Sequence, residues 1–147
     1  MITIEDAICL AANAHKGQKD LEGSPYILHP LRVGMMGQNY EEMVTGFLHD
    51  VVEDTDVTFS QLEEKGVSDE VIAALKLLTR NDGETYWEYV ERIARSDNKL
   101  ALRVKLNDLS HNLERGKKYG HFDLVKKHER AYEYLVKLLK GEKDEMG

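Results

Sequence analysis

Apolar residues recur every three or four positions along almost the whole chain, and this spacing restricts the fold more than any other feature. In the first segment, Ile4, Ala7, Ile8 and Ala11 fall on one helical face. The alternating runs of Val, Ile and Thr that predict strands are missing. We therefore predict an all-α fold, built as a compact helical bundle.

Capping residues and turn signals give the order of the predicted helices. Thr3 and Asp6 form a capping pair at the start of the first helix, and Thr58 with Gln61 forms another. The first predicted helix ends near residue 15, and the second begins at about residue 29. The third spans about 41–53, and the next two begin at 58 and 68. The last three span 86–93, 100–113 and 124–139. Residues 140–147 are expected to form a frayed tail.

Composition narrows the range of functions. The 147 residues suit one domain over 1–147, with no linker or internal repeat. A net charge of −7 argues against binding to a nucleic-acid polymer, and the apolar runs are too short to span a membrane. The single Cys9 and the lack of a signal sequence predict a cytoplasmic protein. A small phosphorylated ligand remains compatible, because local cations or a bound metal can hold it.

Four polar residues interrupt the apolar segment that follows Gly46. On a continuous helix over about 41–53, His49 would lie above Glu53 and Asp50 above Asp54. Burying such groups costs several kcal/mol, at roughly the scale of transfer from water, unless a cation or hydrogen bonds compensate them. The segment therefore predicts a metal-and-base site for hydrolysis.

Further metal ligands must come from other helices, since one helix cannot surround an ion. His29 precedes a proline at a helix start, and Asp108 lies on an otherwise apolar helix. Together with His49 and Asp50 they make a set of two histidines and two aspartates. Such a set without thiolates favours Mn²⁺, Fe²⁺ or Mg²⁺ in open coordination over a closed zinc site.

Four segments carry a resemblance to a known family. These are residues 14–18, 23–31, 46–55 and 104–112. In residue type and spacing they resemble the HD-domain superfamily, specifically the hydrolase domain of RelA/SpoT-type proteins and their small stand-alone relatives. The resemblance implies an HD-type fold and a manganese-dependent enzyme that removes the 3′-pyrophosphate of ppGpp. It also implies that Glu53 and Asp54 position or deprotonate the attacking water.

The resemblance extends to residues that contact the substrate. It implies nucleotide contacts from Lys16, Ser24, Tyr26 and Asn112. Alarmone hydrolases usually carry a basic pair after the position of Gln18, whereas this chain has Asp20 and Leu21. We expect another cation to supply the missing charge, namely Lys19, Arg80 or Lys105.

Three functions remain open at this point. The first is a stand-alone alarmone hydrolase, and the second is a metal-dependent hydrolase of another nucleotide or phosphorylated metabolite. The third is a non-catalytic module that binds metal or nucleotide, which ranks last because Glu53 and Asp54 are both present. Of the other histidines, His15 is predicted to support the loop that follows it, and His128 to be solvated.

Overall fold

Nine helices make up the part of the chain that the computed structural model describes, which is the backbone of residues 1–146 and the side chains of residues 1–141. This part contains no strand beyond one isolated bridge between Lys19 and Pro25. The helices are α1 Ile4–Ala14, α2 Leu28–Met35, α3 Tyr40–Leu48, α4 Val51–Asp54, α5 Phe59–Glu64, α6 Asp69–Leu78, α7 Tyr86–Arg95, α8 Lys99–Tyr119 and α9 Phe122–Met146. The predicted all-α fold is confirmed.

Several of the helix starts are fixed by side-chain caps. Thr3 accepts a hydrogen bond from the backbone N–H of Asp6 at 3.0 Å, and Thr58 forms a reciprocal capping box with Gln61. Both predicted caps are therefore confirmed. A second capping box at Thr85 begins α7.

The predicted continuous helix over 41–53 is wrong. α3 ends at Leu48 and α4 begins at Val51, so His49 and Asp50 lie at a break between two helices. The side chain of His49 donates from Nδ1 to the carbonyl oxygen of Gly46 at 2.7 Å. That carbonyl would accept the Asp50 N–H in a continuous helix, so the imidazole competes with the helical hydrogen bond.

The last two helices are longer than predicted. α8 continues to Tyr119, where Gly120 ends it in the left-handed conformation with φ 73°. The backbone of α9 is helical to Met146, beyond the predicted end at 139. The predicted frayed tail over 140–147 falls mostly on residues that lie outside the described side chains.

A close approach of α2 and α3 sets the spacing of the elements around the site. A Cβ on Gly46 would lie 2.7 Å from the Cα of Gly34, and a Cβ on Gly34 would lie 2.1 Å from the ring of Phe47. Only glycine fits at these two positions. The contact brings the start of α2, with His29, beside the end of α3, which leads to His49.

Two buried apolar clusters support this arrangement. One includes Phe47, Leu62 and Leu75, and the other includes Val104 and Leu135. α3, which leads to His49, contributes to the first cluster, and α8, which carries Asp108, contributes to the second; the two helices are in contact. None of the described helices combines the length and the apolar character needed to cross a membrane.

Candidate metal centre

Four ligand atoms from three parts of the chain converge at one point. His29 Nε2 lies 2.7 Å from Asp108 Oδ1 and 4.0 Å from Asp50 Oδ2. His49 Nε2 lies 2.9 Å from Asp50 Oδ2 and 3.3 Å from Asp108 Oδ1. Neighbouring ligands of an octahedral ion with bonds of about 2.1 Å lie about 3 Å apart, so these atoms have the spacing of a ligand set. We call these four residues the ligand cluster.

The hydrogen bonds of the two histidines leave one ring nitrogen of each for the cluster. His49 Nδ1 faces a carbonyl oxygen, which only accepts, so this nitrogen carries the proton. His29 Nδ1 lies 2.8 Å from His111 Nδ1, with the two rings stacked. Burial lowers the pKa of His111 to about 4, so the neutral His111 can accept the His29 Nδ1 proton. His29 Nε2 is hydrogen-bonded to Asp108 Oδ1 at 2.7 Å, and a bound ion would take the place of the proton in this bond. With the Nδ1 protons kept, both Nε2 atoms would then offer lone pairs to the ion.

His49 Nε2 is the atom that most clearly requires a cation. It is buried, and it has no hydrogen-bond partner in the described part of the chain. In the neutral ring its lone pair would face two carboxylate oxygens. Burial by itself lowers the pKa of His49, but Asp50 and Asp108 outweigh burial and raise that pKa well above its usual value. A divalent ion would serve the same electrostatic need as the extra proton, so the residues fit a metal.

Both aspartates of the cluster are held as anions. Burial raises the pKa of Asp108, but the Lys105 ammonium at 2.8 Å and the two histidines bring it well below the usual value. Burial also raises the pKa of Asp50, and His49 more than reverses this effect, to a pKa of about 2. The hydroxyl of Tyr26 donates to Asp50 Oδ2. Two carboxylates and two imidazoles are therefore available as ligands.

Two further carboxylates lie at the exposed side of the cluster, on α4. Oxygens of Asp50, Glu53 and Asp54 lie within 4.8 Å of one another. Glu53 accepts the backbone N–H of Arg80 at 2.7 Å, which fixes its direction. Partial desolvation and the nearby charges of Asp50 and Glu53 raise the pKa of Asp54 to about 6. A carboxylate with a pKa close to neutrality can exchange protons with a substrate or with water.

A cavity of about 210 Å³ opens over the cluster, and we call it the metal cavity. Its walls carry four carboxylates and three cations: Asp50, Glu53, Asp54, Asp108, Arg80, Lys105 and Lys127. A second cavity of about 330 Å³, the side cavity, shares Tyr26, Asn112 and His128 with the first. Leu21, Tyr119 and Leu124 give the side cavity a largely apolar wall. The pair of cavities suits a ligand with a charged end and a less polar end.

Comparison with known proteins gives relatives of one kind. The chain is 35% identical to the putative chloroplastic GTP diphosphokinase RSH1 of Oryza sativa over 130 residues, which cover 75% of this chain and 15% of that protein. It is 33% identical to the bifunctional (p)ppGpp synthase/hydrolase SpoT of Escherichia coli K12 over 122 residues, which cover 75% of this chain and 17% of that protein. The chain is a homologue of the SpoT/RelA proteins. This confirms the resemblance inferred from the four sequence segments.

A solved structure agrees on the fold. This chain superposes with a TM-score of 0.62 on a structure titled "A metazoan ortholog of SpoT hydrolyzes ppGpp and plays a role in starvation responses". The two are 24% identical, and the match covers 95% of this chain and 94% of the other. No family model matches the chain. Its two relatives above are much longer, since the matched part is only 15% and 17% of their lengths.

Of the five residues predicted to contact the substrate, three line the metal cavity and two do not. Tyr26, Lys105 and Asn112 line the metal cavity. Ser24 lines a neighbouring groove with His29 and His111. Lys16 is exposed and lines neither the metal cavity nor the side cavity.

The loop that departs from the family pattern has a defined role. Asp20 Oδ1 accepts the backbone N–H groups of Glu22 and Ser24, each at 2.9 Å, and so closes the turn. Its other oxygen lies 3.7 Å from Arg115, a residue of α8 that lines the side cavity. Cations therefore reach this cavity from α8, through Arg115, and from the loop, through Lys19, which is one of the residues expected to supply the missing charge. Sequence reasoning missed Arg115, although it lies about one helical turn after Asn112.

Two residues of α9 were also missed. The prediction that His128 is solvated is wrong, because its Nδ1 is buried without a hydrogen-bond partner among the described residues. Burial lowers the pKa of His128 to about 4. Lys127 lines the metal cavity, and no sequence signal distinguished it from other helical lysines. His15, in contrast, is buried and contacts Gln18 at 2.9 Å, as expected for a histidine that supports its loop.

Proposed function

We propose that this chain is a metal-dependent 3′-pyrophosphohydrolase of ppGpp. The observation that carries the proposal is the convergence of the four ligand atoms in a cavity that Glu53 and Asp54 also line. The (p)ppGpp synthase/hydrolase activity in the name of the E. coli relative supports the same substrate. A small phosphorylated nucleotide as the binding partner and a cytoplasmic location are parts of this proposal.

The ligand cluster would hold the ion, through His29, His49, Asp50 and Asp108. We infer Mn²⁺, and Fe²⁺ or Mg²⁺ would accept the same donors. When bound, such an ion acidifies water and offsets phosphate charge. The protein supplies the orientation: the Gly46 carbonyl fixes His49, His111 fixes His29, and Lys105 leaves only one Asp108 oxygen facing the cluster.

The carboxylates of α4 would manage the proton of the attacking water. Asp54 accepts this proton, and Glu53, held by the Arg80 N–H, orients the water. The water oxygen bonds to the phosphorus attached to ribose O3′, and the P–O3′ bond breaks. O3′ takes up a proton, so the products are pyrophosphate and GDP. Arg80 and Lys105 lie on the wall of the same cavity and offset the phosphate charge.

The test is release of pyrophosphate from ppGpp by the purified full chain with Mn²⁺. We expect pyrophosphate and GDP in equal amounts, and no turnover by Asp50→Ala. Asp56→Ala is the matched control, because Asp56 is an exposed aspartate two residues beyond α4 that lines neither cavity. Full activity of Asp50→Ala would contradict the assignment of the site.

A second candidate keeps the chemistry and changes the substrate. Asp20 and Leu21 occupy the side cavity where the alarmone hydrolases usually carry a basic pair, so the base-binding end differs. A nucleotide with a phosphate ester at the ribose 2′ or 3′ position fits this alternative. Phosphate release from a panel of such nucleotides, with ppGpp untouched, would favour it. If no substrate releases phosphate or pyrophosphate but the chain binds Mn²⁺ measurably, the result would favour a non-catalytic module.

A further inference from the structure

Three cations line the metal cavity, from α8, from α9 and from the loop between α6 and α7, and two of them form no ion pair among the described residues. Lys105 is paired with Asp108 at 2.8 Å. Within the described residues, Arg80 and Lys127 form no ion pair. Both line the metal cavity, so their charges are available to a ligand there.

Arg80 is held in place by its own loop. Its backbone N–H donates to Glu53, and its Nε–H donates to the carbonyl oxygen of Glu84 at 2.8 Å. The carboxylate of Glu84 is in turn held by Arg92 through two contacts of 2.8 and 3.0 Å. The loop is thus held by Glu53 on α4 and by Arg92 on α7, and the terminal nitrogens of Arg80 can donate hydrogen bonds to a ligand.

Lys127 also lines the metal cavity, and it lies over an aromatic ring. Its ammonium is 4.2 Å from the ring centre of Tyr86, which also has the Lys105 ammonium 5.9 Å away. Desolvation, then the charges of Arg80 and Lys105, lowers the pKa of Lys127. The three cations are therefore close enough to repel one another, and an anion of more than one charge would relieve this repulsion.

Two buried polar atoms beside these cations also lack partners. The Tyr86 hydroxyl and His128 Nδ1 make no hydrogen bond in the part of the chain described here. Their rings are 6.2 Å apart, and both residues line the metal cavity. Buried polar groups without partners are rare, so this wall of the cavity is suited to a polar ligand.

We infer that Lys127, with Arg80 and the Tyr86 hydroxyl, binds the outer phosphate of a diphosphate whose inner phosphate lies at the ligand cluster. This inference rests on the proposed function and adds the residue that selects a diphosphate over a single phosphate. A single phosphate at the inner position would contact only the ion and Lys105. Lys127 is therefore a specificity-determining residue.

The test compares two non-hydrolysed anions, methylenediphosphonate and inorganic phosphate, on the full chain with equal Mn²⁺ in cell and syringe of a calorimeter. The unmodified chain should prefer the diphosphonate. Lys127→Met should weaken diphosphonate binding about tenfold and phosphate binding less than about twofold, as expected for the loss of one charge-assisted contact. Lys127→Arg should restore most of the preference.

Lys126→Met is the matched control. Lys126 is an exposed neighbour with the same charge, and it lies outside the metal cavity. Equal weakening by both lysine variants, equal weakening of both anions, or no preference in the unmodified chain would overturn the inference. An unchanged melting temperature separates lost binding from lost folding. Because the probes are not nucleotides, a chain inactive on ppGpp can still show the preference, and an active chain can still lack it.

Discussion

The contact between Gly34 and Gly46 makes a quantitative prediction about stability. An alanine at position 46 would place its Cβ 2.7 Å from the backbone of α2, where ordinary contacts begin at 3.4 Å. α2 and α3 would have to separate by about 0.7 Å, the difference between these distances. Overpacking of this kind costs about 1–3 kcal/mol. Because alanine gains about 1 kcal/mol in helix propensity, we expect Gly46→Ala to lose about 0–2 kcal/mol net.

Gly141→Ala is the matched control, since Gly141 is a helical glycine with nothing within 4 Å of its missing Cβ. This variant should gain about 1 kcal/mol from helix propensity alone. Urea unfolding followed by circular dichroism measures both changes, and in a thermal scan Gly46→Ala should melt up to about 8 °C lower than the unmodified chain. Mn²⁺ affinity should fall as well, because His29 lies on α2 and His49 directly after α3, so both would move when the two helices separate. A Gly46→Ala chain as stable as Gly141→Ala would refute the close-packing argument.

Three further variants test separate parts of the site. Glu53→Ala should lower turnover while calorimetry finds Mn²⁺ affinity within about twofold, whereas lost Mn²⁺ binding would make Glu53 a ligand. Thr85→Ala removes the capping box of α7 and should reduce the free energy of unfolding by about 1 kcal/mol, so an unchanged urea midpoint would contradict the cap. Glu84 and Arg92 should show a coupling of about 1 kcal/mol in a double-mutant cycle at pH 7. Since hydrogen bonding from Arg92 lowers the pKa of Glu84, this coupling should fade as the pH falls below 4.5, and a pH-independent coupling would exclude the ion pair.

The sequence was sufficient to propose the ligand cluster because its chemistry is unusual for a helical core. Histidine and aspartate on apolar helices are costly to bury, so His29, His49, Asp50 and Asp108 could be selected by residue type and position. The structure brings these four side chains together. Their roles as ligands stay a prediction until metal binding is measured.

Features that depend on side chains competing for backbone hydrogen bonds, or on packing between distant segments, could not be predicted from the sequence. The break after α3 follows from the His49 imidazole taking the Gly46 carbonyl, which helical periodicity does not reveal. Lys127 and His128 reach the metal cavity only because α9 packs beside Tyr86 of α7. Asp20 looked like a lost positive charge, whereas its main contacts are with the backbone of its own turn.

The charges around the metal cavity link metal binding to the capture of an anion. Four carboxylates face three cations on its walls, and the proton that Asp50 and Asp108 favour on His49 brings the metal-free site close to neutral. A divalent ion that takes the place of this proton gives the site net positive charge. If the proposed function holds, loss of the metal would therefore weaken the binding of a phosphorylated substrate as well as its hydrolysis.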